Sequence, residues 1–378
     1  MGVFTTLLGT QLPGQADRAV KRDTPFTLVL GGGGMKGLAH IGVIQALVER
    51  GHRPTRIIGS SVGALVGAAW AGGMGIAKLR EIAMSLRRKE VFAVAHADMA
   101  LKRMRSPALF KREPLAQLIQ RTVGDLTFQQ LDPPVIVNTV DLNSGMQVFW
   151  GLPGLDDIRV ADAVFASCAL PGYFPPHEIG GRFFVDGAVV ANVPFVAARA
   201  LGPELIVAVD VSASSVLTAD AQDEGFAGVF ARATEILMQT LLEQRVRTWT
   251  TPPVYYIQPR VEHVTMFSFD HLREEVEEGY RATSAALERG DWPLPGDVGI
   301  FPKRRVIVRV ERERCIGCGA CLVHGPQGLF VLDSERKAIV TQPDQEWSPM
   351  DGGYIRHCPT YAIIARPAKQ ESTMLRSG

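Results

Sequence analysis

The stretch RIIGSSVGALVGAAW, residues 56–70, decides the fold of this 378-residue chain. A short apolar run leads into Gly-x-Ser-x-Gly, and small helix-forming residues follow. This order predicts a strand, a sharp turn and a helix, with Ser61 exposed at the turn. Gly59 and Gly63 leave room for a tight backbone, and the positive end of the helix stabilises an anion that develops beside the hydroxyl. Ser61 is therefore the candidate nucleophile.

The composition is that of an ordinary globular protein, with 46% hydrophobic and 21% charged residues. A net charge of +1 gives no general attraction to nucleic acid. No apolar run approaches the roughly 20 residues of a membrane span, and the N-terminus lacks the pattern of a secretory signal. Cysteines spaced for metal ligation indicate a reducing compartment. We therefore expect a cytoplasmic protein that does not bind nucleic acid.

Continuous apolar segments alternate with helical patterns along most of the chain. Buried strands are predicted at 26–30, 135–140 and 205–209. Helices are predicted at 36–50, 224–247 and 272–289. This alternation is typical of an α/β fold with a mostly parallel sheet.

A proline-rich break at residues 292–296 interrupts this pattern. Short strands at 306–310, 329–332 and 338–340 follow it, together with most of the cysteines. We therefore divide the chain into an N-terminal lead, a large α/β domain, a linker and a small C-terminal module, at 1–24, 25–290, 291–304 and 305–378.

A glycine run between a predicted strand and a predicted helix forms a second candidate element. Its backbone N–H groups could cradle an anion, but the Gly-Lys-Ser/Thr ending of a phosphate-binding loop is absent. Beside a serine nucleophile, an oxyanion hole is the favoured interpretation, with Lys36 adding positive charge. The run includes Gly32, Gly33 and Gly34.

Asp186 and Gly187 follow the apolar run at 183–185. A carboxylate at a strand end, followed by glycine, suits a base held in a tight turn, although Asp-Gly pairs also simply form turns. A serine, aspartate and histidine triad is the alternative, and His263 or His271 would supply its third member in the order of an ordinary α/β-hydrolase.

The glycine loop, the Gly-x-Ser-x-Gly turn, the segment ASCALPGYFPP at 166–176 and the Asp-Gly pair together resemble the patatin-like phospholipase family over about residues 25–290. The resemblance implies a three-layer α/β/α hydrolase. It also implies a catalytic dyad, with Ser61 as nucleophile and Asp186 as base, that hydrolyses lipid acyl esters through an acyl-enzyme without a histidine. The oxyanion donors that it implies are the backbone N–H groups of Gly32, Gly33 and Gly34.

Residues 78–112 contain ten lysines and arginines but three acidic residues, with apolar residues between the charges. This pattern, which includes Lys102, Arg103 and Arg105, suits docking on an anionic lipid surface at the inner face of a membrane. A solvated helix face is an equally good interpretation.

The cysteines of the C-terminal module follow the pattern C-x2-C-x2-C, completed by a distant Cys-Pro. This spacing favours an iron–sulfur cluster over a closed zinc site. The run resembles bacterial-type ferredoxins over about residues 305–366, which implies a small α+β ferredoxin-like domain. A second cluster would need a cysteine where Gly325 stands, so the resemblance implies one [4Fe–4S] cluster, held by Cys315, Cys318, Cys321 and Cys358.

Two functions are compatible with these sequence patterns. The first is a serine lipid acyl hydrolase of phospholipase A or lysophospholipase type, with a regulatory or docking cluster. The second is an electron-transfer protein that serves a redox partner protein and uses the hydrolase fold as a lipid-binding or membrane-docking platform.

Overall fold

The computed structural model describes residues 25–95, 108–212, 225–288, 304–347 and 351–368, apart from residues 248, 250, 251, 253 and 262. The predicted N-terminal lead and most of the predicted linker lie outside these ranges. The chain divides into two compact units, with the boundary between Pro293 and Leu294 and with Val246–Thr250 grouped in the second unit.

One mostly parallel sheet forms the centre of the larger unit. Its strands are β1 (Thr27–Leu30), β2 (Arg56–Ser60), β3 (Val135–Asp141), β4 (Gln147–Trp150), β5 (His177–Ile179), β6 (Arg182–Asp186), β7 (Ile206–Val209) and β8 (Val254–Ile257). Their order is β5-β6-β3-β2-β1-β7-β8, with β4 also paired to β3. The strands from β3 to β8 in this order are parallel, whereas β4, β5 and β6 extend the sheet antiparallel. The predicted α/β fold is thus confirmed.

Helices connect these strands and cover the sheet. They are α1 (Ala39–Glu49), α2 (Val62–Ala71), α3 (Ile76–Ser85), α4 (Arg112–Val123), α5 (Val160–Cys168), α6 (Ala188–Ala191), α7 (Phe195–Ala200), α8 (Gly225–Arg247) and α9 (Leu272–Glu288). Every residue of β1 and β3 is buried. Because successive strand side chains point to opposite faces, helices must cover both faces of the sheet at these strands.

The register of β3 brings together the ends of two strands that carry candidate site residues. Ser60 at the end of β2 pairs with Asn138, and Asp186 at the end of β6 pairs with Thr139. Since Asn138 and Thr139 are neighbours on β3, Ser61 and Asp186 lie at the same level of the sheet, with β3 between the strands that lead to them.

The smaller unit contains a three-stranded antiparallel sheet of β9 (Arg304–Val310), β12 (Asp344–Trp347) and β13 (Ile363–Pro367), in the order β12-β9-β13. It also contains the hairpin of β10 (Phe330–Leu332) and β11 (Ala338–Val340) and the short helix α10 (Ala320–His324). Its buried core includes Val308, Phe330 and Ala362 together with Cys315 and Cys321.

Within the part of the chain that the structure describes, no helix has both the length and the apolar composition needed to cross a membrane.

Candidate active site

Ser61 occupies a strained turn between β2 and α2. Its backbone angles are φ 54° and ψ −129°, a region that residues with a Cβ atom rarely adopt. The turn closes only because its neighbours are glycines. A Cβ atom at Gly59 would collide with the backbone of Ala64, and one at Gly63 would collide with the carbonyl of Leu30. The chain therefore places the serine where the sequence predicts it, between a strand and a helix.

A buried network of hydrogen bonds holds this turn. The hydroxyl of Ser167 accepts the backbone N–H of Ser61 at 2.8 Å and donates to the carbonyl of Asn138 at 2.7 Å. The Asn138 amide donates to the Ser60 hydroxyl at 2.8 Å and to the carbonyl of Ala191 at 3.1 Å. Sequence reasoning did not single out Asn138 or Ser167 as site residues, although Ser167 lies within the quoted segment 166–176.

Asp186 is buried at the end of β6 and lines the same cavity as Ser61. Its Oδ1 accepts the backbone N–H of Ala188 at 2.8 Å. Burial raises the pKa of Asp186 to about 7, against the opposing effects of this N–H group and of a hydrogen bond from the Ser61 side chain. Gly187 must lack a side chain because a Cβ atom there would collide with Asn138. Asp186 thus contacts Ser61 and has the pKa that a general base near neutral pH requires.

The glycine loop lies against Ser61, and one predicted oxyanion donor needs correction. The N–H of Gly32 donates to the carbonyl of Asn192 at 3.2 Å, so it is already occupied by the protein. Gly33 and Gly34 also line the cavity and remain as candidate donors. A Cβ atom at Gly32 would meet the Asn192 side chain at 2.7 Å and Ser61 at 3.2 Å, so this glycine permits close approach instead of supplying an N–H.

Two buried titratable side chains, Lys36 and His40, support this loop. Lys36 lines the cavity, and its Nζ donates to the carbonyl of Ser212 at 3.3 Å. Burial lowers the pKa of Lys36, while Glu235, Asp210 and Glu275 counteract that effect. His40 contacts the carbonyl of Gly31 at 2.7 Å through Nε2, and burial lowers its pKa to about 4. A neutral His40 therefore donates this hydrogen bond and fixes the start of the loop.

The cavity around Ser61 is lined by both polar and apolar side chains. The polar ones are Ser61, Asp186, Lys36, Asn192, Ser212, Glu235 and Gln239. The larger apolar ones are Phe92, Leu170, Tyr173, Phe174, Met238, Met266 and Phe267. Phe267 packs against Tyr173 and Phe92 with ring centroids 4.8 and 5.1 Å apart. A molecule with one polar and one apolar part fits such a lining.

The histidine alternative finds no support in the geometry. His263 and His271 do not line the cavity that contains Ser61. Their ring nitrogens instead contact the two carboxylate oxygens of Glu274, at 3.1 and 2.9 Å. Among the described residues that line the cavity, none is a histidine. Asp186 is thus the carboxylate that the structure places beside the serine.

The four predicted cluster cysteines line one concavity of the smaller unit. All are free thiols. The backbone N–H of Ala338 donates to the sulfur of Cys315 at 3.4 Å, and that of Ala362 donates to the sulfur of Cys358 at 3.3 Å. Nearby, the rings of His324 and His357 stack at 4.0 Å. The chain therefore converges on one thiol-lined site from two distant segments.

The predicted membrane-docking segment is described only in part. Lys102, Arg103 and Arg105 lie outside the described residues. Arg88, from the same segment, donates to the carbonyl of Phe267 at 3.0 Å. This arginine contacts the loop that lines the cavity.

A serine on a strained strand-to-helix turn, beside a buried carboxylate, is the arrangement that a serine nucleophile and its base would require. Residues 28–199 match the family model described as patatin-like phospholipase. This segment, just under half of the chain, is therefore similar to a patatin-like phospholipase domain, as its motifs indicate. The match ends before the cysteines, so the ferredoxin-like module stays a prediction.

Curated relatives agree with this assignment. An uncharacterized NTE family protein of Mycobacterium tuberculosis is 33% identical over 187 residues, which cover 50% of this chain and 49% of the relative. Lysophospholipase NTE1 of Saccharomyces cerevisiae is 27% identical over 270 residues, 65% of this chain and 15% of the relative. The chain thus spans about half the length of the mycobacterial relatives it matches. Among solved structures, VipD from Legionella pneumophila is 16% identical over 72% of this chain and 68% of that chain, with a TM-score of 0.40.

Proposed function

We propose that the chain is a serine lipid acyl hydrolase of phospholipase A or lysophospholipase type. The observation that carries this proposal is the contact between Ser61, on its strained turn, and the buried Asp186. A patatin-like phospholipase domain and a relative named lysophospholipase support lipid esters as the substrate class.

The reaction follows from these two side chains. Ser61 Oγ attacks the ester carbonyl carbon while Asp186 takes its proton, and the N–H groups of Gly33 and Gly34 stabilise the resulting oxyanion. Collapse of this intermediate breaks the ester bond, and the leaving alcohol takes the proton from Asp186. Water then attacks the acyl-serine, Asp186 accepts its proton, and the fatty acid leaves as the proton returns to Ser61.

The direct test is Ser61→Ala, assayed against a panel of phospholipids and lysophospholipids. We expect ester hydrolysis to fall by roughly a thousandfold or more, with the fold retained. Ser85→Ala, which changes an exposed hydroxyl on α3, is the control and should hydrolyse lipid at the normal rate. Hydrolysis by Ser61→Ala at the control rate would refute the proposal.

The exposed side of α8 is suited to contact with a lipid layer. The described residues exposed between positions 229 and 241 are Val229, Phe230, Ala233, Ile236, Leu237, Thr240 and Leu241, none of them charged. Glu235, Met238 and Gln239, on the other side of this helix, line the cavity. An apolar helix face beside the cavity suits a substrate that is drawn from a lipid assembly. We propose this face, instead of the basic segment at 78–112, as the main lipid contact.

We further propose that Cys315, Cys318, Cys321 and Cys358 hold one [4Fe–4S] cluster. When bound, such a cluster supplies one-electron transfer, which the hydrolysis does not require, so its role would be regulatory or would serve a redox partner protein. All four cysteines line one concavity. Backbone N–H groups donate to the sulfurs of Cys315 and Cys358, which suits the thiolate ligands of such a cluster.

Anaerobic purification tests the cluster independently of hydrolysis. We expect a brown protein with about four iron and four sulfide per chain, and loss of both in Cys318→Ser. The buried Cys168, which lies outside the cysteine-lined concavity, provides the matched control as Cys168→Ser. A colourless protein that contains zinc alone would refute the cluster.

A further inference from the structure

Two histidines and one glutamate of the larger unit converge away from the catalytic cavity. His263 Nε2 lies 3.1 Å from one carboxylate oxygen of Glu274, and His271 Nδ1 lies 2.9 Å from the other. The two imidazole rings meet edge to face, with centroids 5.6 Å apart. The three ligand atoms all lie within 4.8 Å of one another. The proposed hydrolysis uses none of these side chains.

These distances resemble those around a small metal ion. A tetrahedral ion with bonds of about 2.1 Å holds its ligand atoms roughly 3.4 Å apart, so small rotations of the three side chains would admit one. Two imidazoles and a carboxylate are ligands of the zinc type, and a three-residue set leaves a fourth position for water. Each of the three side chains is about half exposed, which gives both an ion and its water access.

The segment between His263 and His271 contacts the glycine loop. His263 and His271 form the two ends of a loop, residues 263–271, and Glu274 lies in the first turn of α9. In the middle of this loop, the carbonyl of Met266 accepts the backbone N–H of Met35 at 2.9 Å. The same carbonyl packs so closely against Gly34 that no Cβ atom fits there. Met266 and Phe267 also line the cavity.

We propose that His263, His271 and Glu274 bind one divalent cation of the zinc type, which ties both ends of the 263–271 loop to α9. A bound ion would fix the segment that contacts Gly34 and Met35. The site differs in position and ligand type from the cysteine site of the smaller unit.

Zinc content and thermal unfolding of the full chain test this proposal. After dialysis against micromolar Zn²⁺, we expect the wild type to hold one more equivalent of zinc than the double variant His263→Ala, His271→Ala. Zinc bound by cysteines is the same in both proteins and cancels. Each single histidine variant should weaken the additional site by at least about tenfold. Zinc should raise the unfolding midpoint of the wild type more than that of the double variant, because the ion binds the folded state.

Glu277→Gln serves as the matched control, since Glu277 is exposed on the same helix, three residues beyond Glu274. It should bind zinc as the wild type does, whereas Glu274→Gln should not. Equal zinc content and equal thermal shifts in the wild type and the double variant would overturn the proposal and leave His263 and His271 as partners of an ion pair with Glu274. Because these readouts do not involve ester hydrolysis, they are independent of the proposed activity.

Discussion

The hydroxyl of Ser167 bridges the backbone N–H of Ser61, at 2.8 Å, and the carbonyl of Asn138, at 2.7 Å. One buried side chain of α5 thereby joins the nucleophile turn to strand β3, which also pairs with the strand that carries Asp186. The strands that lead to Ser61 and Asp186 are thus both paired with β3.

Ser167→Ala should therefore impair catalysis through the position of Ser61, without removing a contact to the substrate. It leaves a buried N–H and a buried carbonyl without their partner, which costs about 1–3 kcal/mol of unfolding free energy. Misplacement of Ser61 should lower kcat by about ten- to a hundredfold. Chemical denaturation and steady-state kinetics measure the two effects. Thr122→Ala, which removes a hydroxyl bonded to carbonyls of its own helix, should leave kcat intact. A normal kcat in Ser167→Ala would contradict a positioning role.

The raised pKa of Asp186 predicts the pH dependence of activity. Burial raises this pKa to about 7, and the base must be ionised to accept a proton from Ser61. We expect kcat/KM to increase with pH and to level off above about pH 7. Asp186→Asn should lower the rate by roughly 10²–10⁴-fold and remove this limb of the profile. A profile that is flat from pH 5 to 8 would exclude Asp186 as the base.

The same carboxyl group should make the fold less stable as the pH rises. The native state keeps the Asp186 proton up to about pH 7, whereas the unfolded chain releases it near 3.8. Between these values the unfolded state binds fewer protons, so the free energy of unfolding decreases with pH, by a few kcal/mol in total. Asp186→Asn should therefore be more stable than the wild type at pH 8, as measured by urea denaturation.

Glu275 provides the control for that prediction. Burial raises its pKa to about 8, and it does not line the cavity. Glu275→Gln should likewise raise stability above pH 8 but leave the midpoint of the activity profile unchanged. A shift of that midpoint in Glu275→Gln would mean that the activity profile does not report on Asp186 alone.

Local sequence signals were sufficient for the central strands and for the positions of Ser61 and Asp186. Apolar runs identify β1 and β3 because both faces of these strands are buried. The short strand β5 is partly exposed and pairs antiparallel at one edge of the sheet, and its sequence, His-Glu-Ile, lacks such a run. The predicted helix at 36–50 begins instead with a 3-10 segment, Gly34–Leu38, where the loop packs against Met266.

Hydrogen-bond partners in the site could not be predicted from the sequence. Gly32 was expected to supply an oxyanion donor, but its N–H is used by the carbonyl of Asn192, which lies 160 positions along the chain. Ser167 and Asn138 also lie at the site through contacts distant in sequence, which strand register establishes. Such long-range contacts leave no local pattern in one sequence.

Asn192 is a further residue that the geometry adds to the site. Its buried side-chain amide lines the cavity and has no hydrogen-bond partner among the described residues. An unpaired donor beside Ser61 suits a developing oxyanion, and removal of one such donor costs about 10²–10³-fold in kcat. We expect Asn192→Ala to lower kcat on this scale with a smaller change in KM. An unchanged kcat would assign the amide a structural role.

The exposed side of α8 predicts a difference between aggregated and dissolved substrates. Leu237 is 65% exposed and Ile236 is 50% exposed, both on the uncharged face beside the cavity. Charged residues there should oppose insertion into a lipid layer without altering Ser61 or Asp186. We expect the double variant Ile236→Glu, Leu237→Glu to lower hydrolysis of vesicle phospholipid by about tenfold or more, since each buried leucine or isoleucine contributes roughly 1.5–3 kcal/mol.

Hydrolysis of a soluble short-chain ester by this double variant should be unchanged. Met146→Glu, which alters an exposed apolar residue between β3 and β4, should affect neither substrate. Equal losses on vesicles and on the soluble ester would place the defect in the cavity instead of at the lipid surface.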